Sequence, residues 1–237
     1  MPQKDMPMEL AERIIRDHVY PGTHVNLQGE GEPVLAKHFW NIVDLVWKRG
    51  GLPHIITNAG YTITDKMAAD FKRYFYTLAV SLDTTDVARA ESIGRYNVQR
   101  VMDNIIRFRD IIGPERVTIM AVGLSPQDVD GVVSFARKHR LPQVIVQSLQ
   151  TKNDYMINYE VRHSFSYHFR CRYLEENVMT FFNVDGVEMP CCFIKDVSHY
   201  SSAEALRQDM QKNIVPLSCK GCRYIMHSSE QQFIFRG

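Results

Sequence analysis

The sequence predicts an α/β protein in which short β-strands alternate with helices, followed by a smaller part that is rich in cysteine. Runs of Val, Ile and Leu alternate with segments of helical periodicity, which is typical of parallel βα units. All 5 cysteines lie between Cys171 and Cys222, which sets the last third of the chain apart. No low-complexity linker separates the two parts.

The predicted strands are short runs rich in β-branched and other apolar residues. In chain order they are Val25–Leu27, His54–Ile56, Tyr76–Leu82, Val117–Val122 and Val144–Val146. Because each is separated from the next by a helical pattern, we expect these strands to be parallel.

The predicted helices share apolar residues at spacings of three and four, with start and stop signals at their ends. They cover 8–20, stopped by Pro21-Gly22; about 39–47, stopped by Gly50-Gly51; a helix with Thr64 as N-cap; Val98–Ile112, stopped by Gly113; and a helix begun by Ser125-Pro126.

The cysteine-rich part has a different pattern. Arg170 to Met189 predicts two short extended segments around the turn Asn183–Gly186, and a helix follows over Ser202–Gln211. We therefore expect a boundary at residues 160–168, dividing the chain into domains 1–165 and 166–237.

Composition and charge exclude several kinds of partner. The 28 basic and 27 acidic residues nearly balance, so bulk charge predicts neither nucleic acid nor an anionic membrane as a partner. The first residues have no apolar signal core, and no run approaches the ~18 apolar residues of a membrane span. A reducing cytoplasm is the expected compartment, and clustered cysteines there favour metal binding over disulfides.

The cysteine spacing predicts one metal site. Cys219 and Cys222 are separated by two residues, so both thiolates can bind one centre, with Cys171 and Cys191 as the other ligands. Zinc and an iron-sulfur cluster both accept four thiolates, and the spacing leaves both open. Cys192, adjacent to Cys191, is expected to be a packed thiol.

Polar or glycine-rich residues follow the predicted strands, where parallel sheets bind ligands. These segments are Gly29–Pro33, Thr57–Gly60, Ser81–Asp83 and Gln147–Ser148. Ordinary βα turns have similar compositions, so each segment alone is a weak signal. Their order along the chain, ahead of the cysteine array, is the more specific observation.

In these segments the chain resembles the radical S-adenosylmethionine (radical SAM) enzymes, over about residues 6–225. Gly29-Glu-Gly31-Glu32-Pro33 resembles the family's second-strand motif, which implies that Gly31 and Glu32 receive the methionyl ammonium of the cofactor. Thr57-Asn58 resembles the third-strand Thr-Asn-Gly signature, with Ala59 inserted before Gly60.

The fourth-strand signature is matched by Val80-Ser81-Leu82-Asp83. The resemblance implies that Ser81 faces the ribose or carboxylate end of S-adenosylmethionine and that Asp83 lies in the same site. It also implies that Arg95 binds the carboxylate of the cofactor. The expected fold is then an incomplete TIM-like parallel barrel holding strands 2 to 6 of the family.

The cysteine-rich part resembles the family's auxiliary-cluster extension, called SPASM or, in its one-cluster form, twitch. Cys171, Gly186 and Cys191 match its opening spacing, and Val184-Asp-Gly186 followed by Pro190-Cys191 matches its turn. No cysteine follows Cys222, so the resemblance implies the one-cluster form, a small α+β domain that holds an auxiliary 4Fe-4S cluster.

One departure from the family is large. Radical SAM enzymes hold their catalytic 4Fe-4S cluster with a CxxxCxxC loop after the first strand, and this sequence has no cysteine before Cys171. We interpret the chain as truncated, or begun late, and inactive alone. S-adenosylmethionine should then bind weakly or not at all, and the edge at Val25–Leu27 should be open to self-association.

For a complete enzyme the resemblance implies hydrogen abstraction from a peptide or small-molecule substrate, with a flavodoxin or ferredoxin as reductant. A different hypothesis is a non-catalytic remnant or binding module with one structural metal site. An in-frame CxxxCxxC in the DNA upstream of the Met1 codon would favour the enzyme.

Overall fold

The computed structural model describes residues 4–29, 31–147, 161–163, 169–172, 174, 179–192, 194, 202–212, 214–216, 219, 222 and 225–227. The chain divides into two compact units, Met1–Leu149 and Gln150–Gly237. The predicted boundary at residues 160–168 falls on a segment of which only 161–163 are described, and it stays a prediction.

The first unit contains a parallel sheet whose strands lie side by side in chain order. They are β1 (His24–Asn26), β2 (Leu52–Thr57), β3 (Thr77–Ser81), β4 (Val117–Val122) and β5 (Gln143–Gln147). Every neighbouring pair is parallel. Among the described residues β1 pairs only with β2 and β5 only with β4, so these two strands are the sheet edges.

Helices connect these strands in βα order. They are α1 (Met8–His18), α2 (Phe39–Lys48), α3 (Asp65–Tyr74), α4 (Val87–Ser92), α5 (Val98–Ile112) and α6 (Pro126–Lys138), with 3₁₀ turns at Pro33–Leu35 and Pro114–Arg116. The expected caps are present: Thr64 Oγ1 accepts from the Met67 amide at 3.2 Å, and Ser125 Oγ accepts from the Asp128 amide at 3.1 Å. These bonds satisfy amides that the first helical turn leaves unpaired.

The predicted α/β class and the parallel order are confirmed, and the bounds differ by small amounts. β1 begins one residue earlier than predicted, yet the Leu27 amide still donates to the His54 carbonyl at 2.8 Å. α1 ends at His18, because Val19 already has an extended backbone. The six-residue α4 is too short to show a helical period, and the Asp86 side chain caps it.

The core lies on one face of this sheet. Alternate residues of β2 and β4 are buried, and the register places Ile55 beside Leu78 and Leu78 beside Val117. Helical aromatic residues complete the core, with the rings of Phe71 and Phe108 in edge contact at 4.8 Å. Burial of each such side chain contributes about 1.5–3 kcal/mol, which fixes the sheet and therefore the positions of its strand ends.

The second unit contains short antiparallel strand pairs among its described residues, and its longest described helix is Ala203–Gln211. Val161–His163 pairs with Ile214–Pro216, Phe169–Cys171 with Ile225–His227, and Phe181–Phe182 with Glu188–Met189. The last pair flanks the predicted Asn183–Gly186 turn, in which Gly186 has a φ of 72°. Ser202 caps the helix Ala203–Gln211.

None of the described helices is long and apolar enough to cross a membrane.

Candidate functional site

The carboxyl ends of the parallel strands bring the predicted site segments to one edge of the sheet. Thr57 ends β2, Ser81 ends β3 and Val122 ends β4. The register aligns Thr57 with Val80 and Ser81 with Met120, so these ends are level with one another. Neighbouring strands lie about 4.8 Å apart, so the segments that follow them are adjacent.

The Glu32 carboxylate joins the loop after β1 to the turn after β2. Its Oε1 accepts from the Thr57 hydroxyl and its Oε2 from the Asn58 amide, both at 2.8 Å. Because each carboxylate oxygen accepts one hydrogen bond from the turn after β2, Glu32 is firmly fixed in place.

The loop after β1, which includes Gly29, Gly31 and Glu32, leaves open space beside its glycines. A Cβ added at Gly29 or Gly31 would meet no atom within 4 Å. Pro33 then begins a 3₁₀ turn, and Glu32 before it has the extended backbone that a following proline favours. A ligand could therefore approach the loop backbone beside Gly29 and Gly31.

The turn Thr57–Tyr61 has an unusual backbone conformation at Ala59. Ala59 has a φ of 53° and is fully buried, whereas Gly60 lies outside the left-handed region. Thr57 Oγ1 accepts from the Ala59 amide and Asn58 Oδ1 from the Gly60 amide, each at 2.9 Å. Ala59 thus takes the strained conformation that a glycine would hold more easily, so the glycine of the signature corresponds to Ala59 in conformation.

Two residues of this turn network were not predicted as site residues. Asn104 Nδ2 donates to the carbonyls of Ala59 at 2.8 Å and Tyr61 at 2.7 Å, and Tyr61 Oη lies 3.4 Å from Thr57 Oγ1. Asn104 lies on the stripe that Val101 and Ile105 bury on α5. A polar residue in that apolar stripe is the sequence signal that could have revealed it.

Burial changes the acidity of two groups in this network. Desolvation raises the pKa of Glu32 above its ordinary value of 4.5, although its hydrogen bonds act in the opposite direction. Burial also raises the pKa of the Tyr61 phenol, with a smaller contribution from the negative charge of Glu32. Tyr61 is therefore a neutral hydrogen-bonding group at physiological pH.

Asp83 and Arg95 form an ion pair beside the end of β3. Asp83 Oδ2 accepts from Arg95 Nε at 2.8 Å, and its Oδ1 accepts from the Val122 amide at 2.8 Å. The Asp83 side chain is 5% exposed and that of Arg95 is 55% exposed. The structure therefore brings together the predicted residues from three strand ends, whereas Ser148, predicted at a fourth, lies outside the described residues.

The cysteines belong to the second unit. Cys191 and Cys219 are buried in one apolar cluster with Leu174, Ile194 and Leu206, and Cys171 packs against it. The Cys222 amide donates to the Cys219 carbonyl at 3.1 Å. Soft thiols within one cluster fit an iron-sulfur or zinc centre in donor chemistry. Across the described part of the chain, however, no three Cys, His, Asp or Glu side chains adopt a ligating arrangement.

The fold has counterparts among solved structures. A structure of anSMEcpe with bound S-adenosylmethionine matches with a TM-score of 0.50 at 16% identity, over 65% of this chain and 48% of that one. Streptococcus suis SuiB matches with a TM-score of 0.52 at 18% identity, over 66% of this chain and 36% of that one. SuiB bound to S-adenosylmethionine matches with a TM-score of 0.51 at 19% identity, over 65% and 36%.

These similarities show the fold alone: an incomplete TIM-like arrangement of parallel βα units that this chain shares with the matched proteins. The chain spans between about a third and a half of the proteins that it matches. No protein-family model and no curated protein matches this sequence.

Replacing Glu32 tests whether its carboxylate fixes the two loops. Glu32→Gln keeps the shape but turns an NH₂ group toward protein donors, so we expect a loss of about 1–3 kcal/mol in the free energy of unfolding at neutral pH. Urea unfolding of both proteins measures this loss. Glu115→Gln, at a surface turn outside this network, is the control and should change little.

The pH dependence of that loss has a defined sign. Folding raises the pKa of Glu32, so the free energy of unfolding of the wild-type protein falls as the pH rises from 4.5 through the raised pKa. The Glu32→Gln variant has no ionisable group at this position and lacks this pH dependence. The difference in free energy of unfolding between the wild type and Glu32→Gln should therefore become smaller as the pH rises over that range. A difference that becomes larger instead would contradict the assigned desolvation.

Proposed function

We propose that this chain binds S-adenosylmethionine at the carboxyl edge of its parallel sheet, as part of a radical SAM enzyme that modifies a peptide. The observation that carries the proposal is that two groups of predicted residues lie at the ends of neighbouring strands. Glu32 holds Thr57 and Asn58 in one group, and Arg95 lies beside Asp83 in the other. Both groups occupy the edge where parallel sheets bind ligands.

In the proposed site each end of the cofactor meets matching chemistry. Gly31 and Glu32 receive the methionyl ammonium, with open space at the glycines and the negative charge of Glu32 supplying the attraction. Arg95 binds the methionyl carboxylate, and Ser81 faces the ribose or carboxylate end. Thr57 and Asn58 act through Glu32, because their hydroxyl and amide hold its carboxylate.

The radical chemistry of such an enzyme would need a catalytic 4Fe-4S cluster. Held by a CxxxCxxC motif, that cluster would supply the electron that cleaves S-adenosylmethionine. The residues of this chain bind and orient the cofactor, and the buried network of Thr57, Tyr61 and Asn104 keeps the turn beneath it rigid. A flavodoxin or ferredoxin is the proposed reductant.

A peptide substrate is supported by the solved structures that share the fold. One is anSMEcpe with bound S-adenosylmethionine and a Kp18Cys peptide, with a TM-score of 0.50, and another is SuiB bound to its precursor peptide SuiA, with a TM-score of 0.51. A small-molecule substrate remains the alternative within the same class of chemistry.

For the second unit we propose a thiolate centre with Cys171, Cys191, Cys219 and Cys222 as ligands, in a twitch-like domain. The shared cluster of Cys171, Cys191 and Cys219 supports it. An auxiliary 4Fe-4S cluster fits the enzyme hypothesis. A zinc ion at the same thiolates would instead fit the binding-module alternative, because zinc has no redox chemistry.

Substituting Arg95 tests the cofactor site. Arg95→Lys keeps the positive charge but loses the planar fork, and Arg95→Ala loses both, so we expect affinities for S-adenosylmethionine about 3-fold and at least ~10-fold weaker. Isothermal titration calorimetry on the full chain measures them. Arg16→Ala is the matched control, since Arg16 also donates Nε to an aspartate, Asp17, at 2.9 Å on α1.

If Arg16→Ala and Arg95→Ala lost equal affinity for S-adenosylmethionine, the proposed site would be wrong. Tight binding that no substitution at Gly31, Glu32, Ser81 or Arg95 weakens would also contradict it.

Anaerobic reconstitution with iron and sulfide tests the thiolate centre. Wild-type protein should bind both and gain the visible charge-transfer absorption of an iron-sulfur cluster, and Cys191→Ser should lose most of it. Cys192→Ser is the matched control and should retain it, because Cys192 is expected to be a packed thiol. Zinc binding without any chromophore would favour the structural-metal alternative.

A further inference from the structure

The Asp83 carboxylate is buried and engaged by the protein itself. Its two oxygens accept from Arg95 Nε and from the Val122 amide, each at 2.8 Å, and its side chain is 5% exposed. The resemblance to radical SAM enzymes places this aspartate among the cofactor ligands. A carboxylate so enclosed offers no accessible oxygen to a ligand hydroxyl.

Arg95, in contrast, has one edge engaged and another exposed. Asp83 takes its Nε–H, and no other described residue pairs with its guanidinium. A guanidinium has five N–H groups in a planar fork, so Nη1 and Nη2 keep the edge that binds a carboxylate with two parallel hydrogen bonds. That side chain is 55% exposed, which leaves this edge accessible.

The backbone also holds Arg95 in place. Gly94 has a φ of 74°, and the Arg95 amide donates to the Ala90 carbonyl at 2.8 Å, which closes the end of α4. Asp83 is fixed in turn by the β4 backbone through Val122. The guanidinium is therefore anchored to two neighbouring strands and one helix end.

We propose that Asp83 is a positioning residue for Arg95 and not a ligand, and that the pair makes this site selective for ligands that carry a carboxylate. The proposal rests on the proposed function and deepens it. The pair is neutral as a whole, so recognition comes from the oriented fork rather than from a net positive charge. Aspartate suits this position because two donors approach it, whereas asparagine has one acceptor oxygen and would turn an NH₂ group toward one of them.

A double-mutant-style cycle, in which one change is made in the protein and one in the ligand, tests the proposal. Affinities of the wild type and Asp83→Asn are measured by calorimetry for S-adenosylmethionine and for its decarboxylated analogue, which lacks only the carboxylate. We expect Asp83→Asn to weaken S-adenosylmethionine about 10-fold and the analogue by less than about 2-fold. Asp83→Glu, which keeps the charge but moves it, should also weaken S-adenosylmethionine.

Asp128→Asn is the matched control. Asp128 is 6% exposed and pairs with Arg89, which is 44% exposed, so it is an equally buried aspartate beside a half-exposed arginine. It should leave the ratio of the two affinities unchanged. A loss in Asp83→Asn that is equal for both ligands, or no loss for either, would overturn the proposal.

A second readout separates this proposal from the proposed function. The ¹H–¹⁵N resonance of Arg95 Nε, assigned by its disappearance in Arg95→Lys, should move in Asp83→Asn and should respond to free methionine in the wild type only. If it does so while S-adenosylmethionine fails to bind, the proposed function is wrong and the positioning role stands. If the resonance does not change in Asp83→Asn, the positioning role is wrong.

Discussion

The rest of the site depends on the contact between Glu32 and the turn after β2. One carboxylate accepts from the Thr57 hydroxyl and the Asn58 amide, and so joins two loops that are 25 residues apart in sequence. Desolvation disfavours the charged form of Glu32 and raises its pKa, while the hydrogen bonds to the carboxylate favour the charged form. The contact is therefore sensitive to the loss of any one donor, and the strained Ala59 persists because this network and Asn104 hold it.

The two carboxylates of the site, those of Glu32 and Asp83, have similar structural roles. Glu32 and Asp83 both follow strands at the carboxyl edge, and both are engaged by amides and side chains of the protein. Each fixes a group that is more exposed than itself: Glu32 fixes the loop of Gly29 and Gly31, and Asp83 fixes Arg95. At this edge the two carboxylates therefore hold neighbouring groups in the positions from which they can meet a ligand.

The sequence predicts the first unit well because its signals are local. Val98–Ile112 and Val117–Val122 match their predicted bounds, since a stop signal or a continuous apolar run marks each end. The long-range pairings of the second unit were not predicted. Val161–His163 pairs with Ile214–Pro216 across some 50 residues, and no local pattern encodes such a pairing.

Some features of the candidate site could be predicted from the sequence, and others could not. Strand order predicts that Glu32, Thr57, Ser81 and Asp83 share an edge, because parallel strands end on the same side. The enclosure of Asp83 between Arg95 and the Val122 amide depends on the side-chain packing of three segments, which spacing does not contain. For the same reason the spacing of the cysteines predicts a shared cluster more reliably than a ligating geometry.

Hydrogen exchange of backbone amides, with and without saturating S-adenosylmethionine, tests the central claim most directly. If the carboxyl edge binds the cofactor, exchange should slow in segments 29–33, 57–60 and 81–95. It should stay unchanged in α1, which packs against α2 and contributes no residue to the proposed site. Slower exchange in α1 alone, or no change in any of the three segments at saturation, would contradict the account.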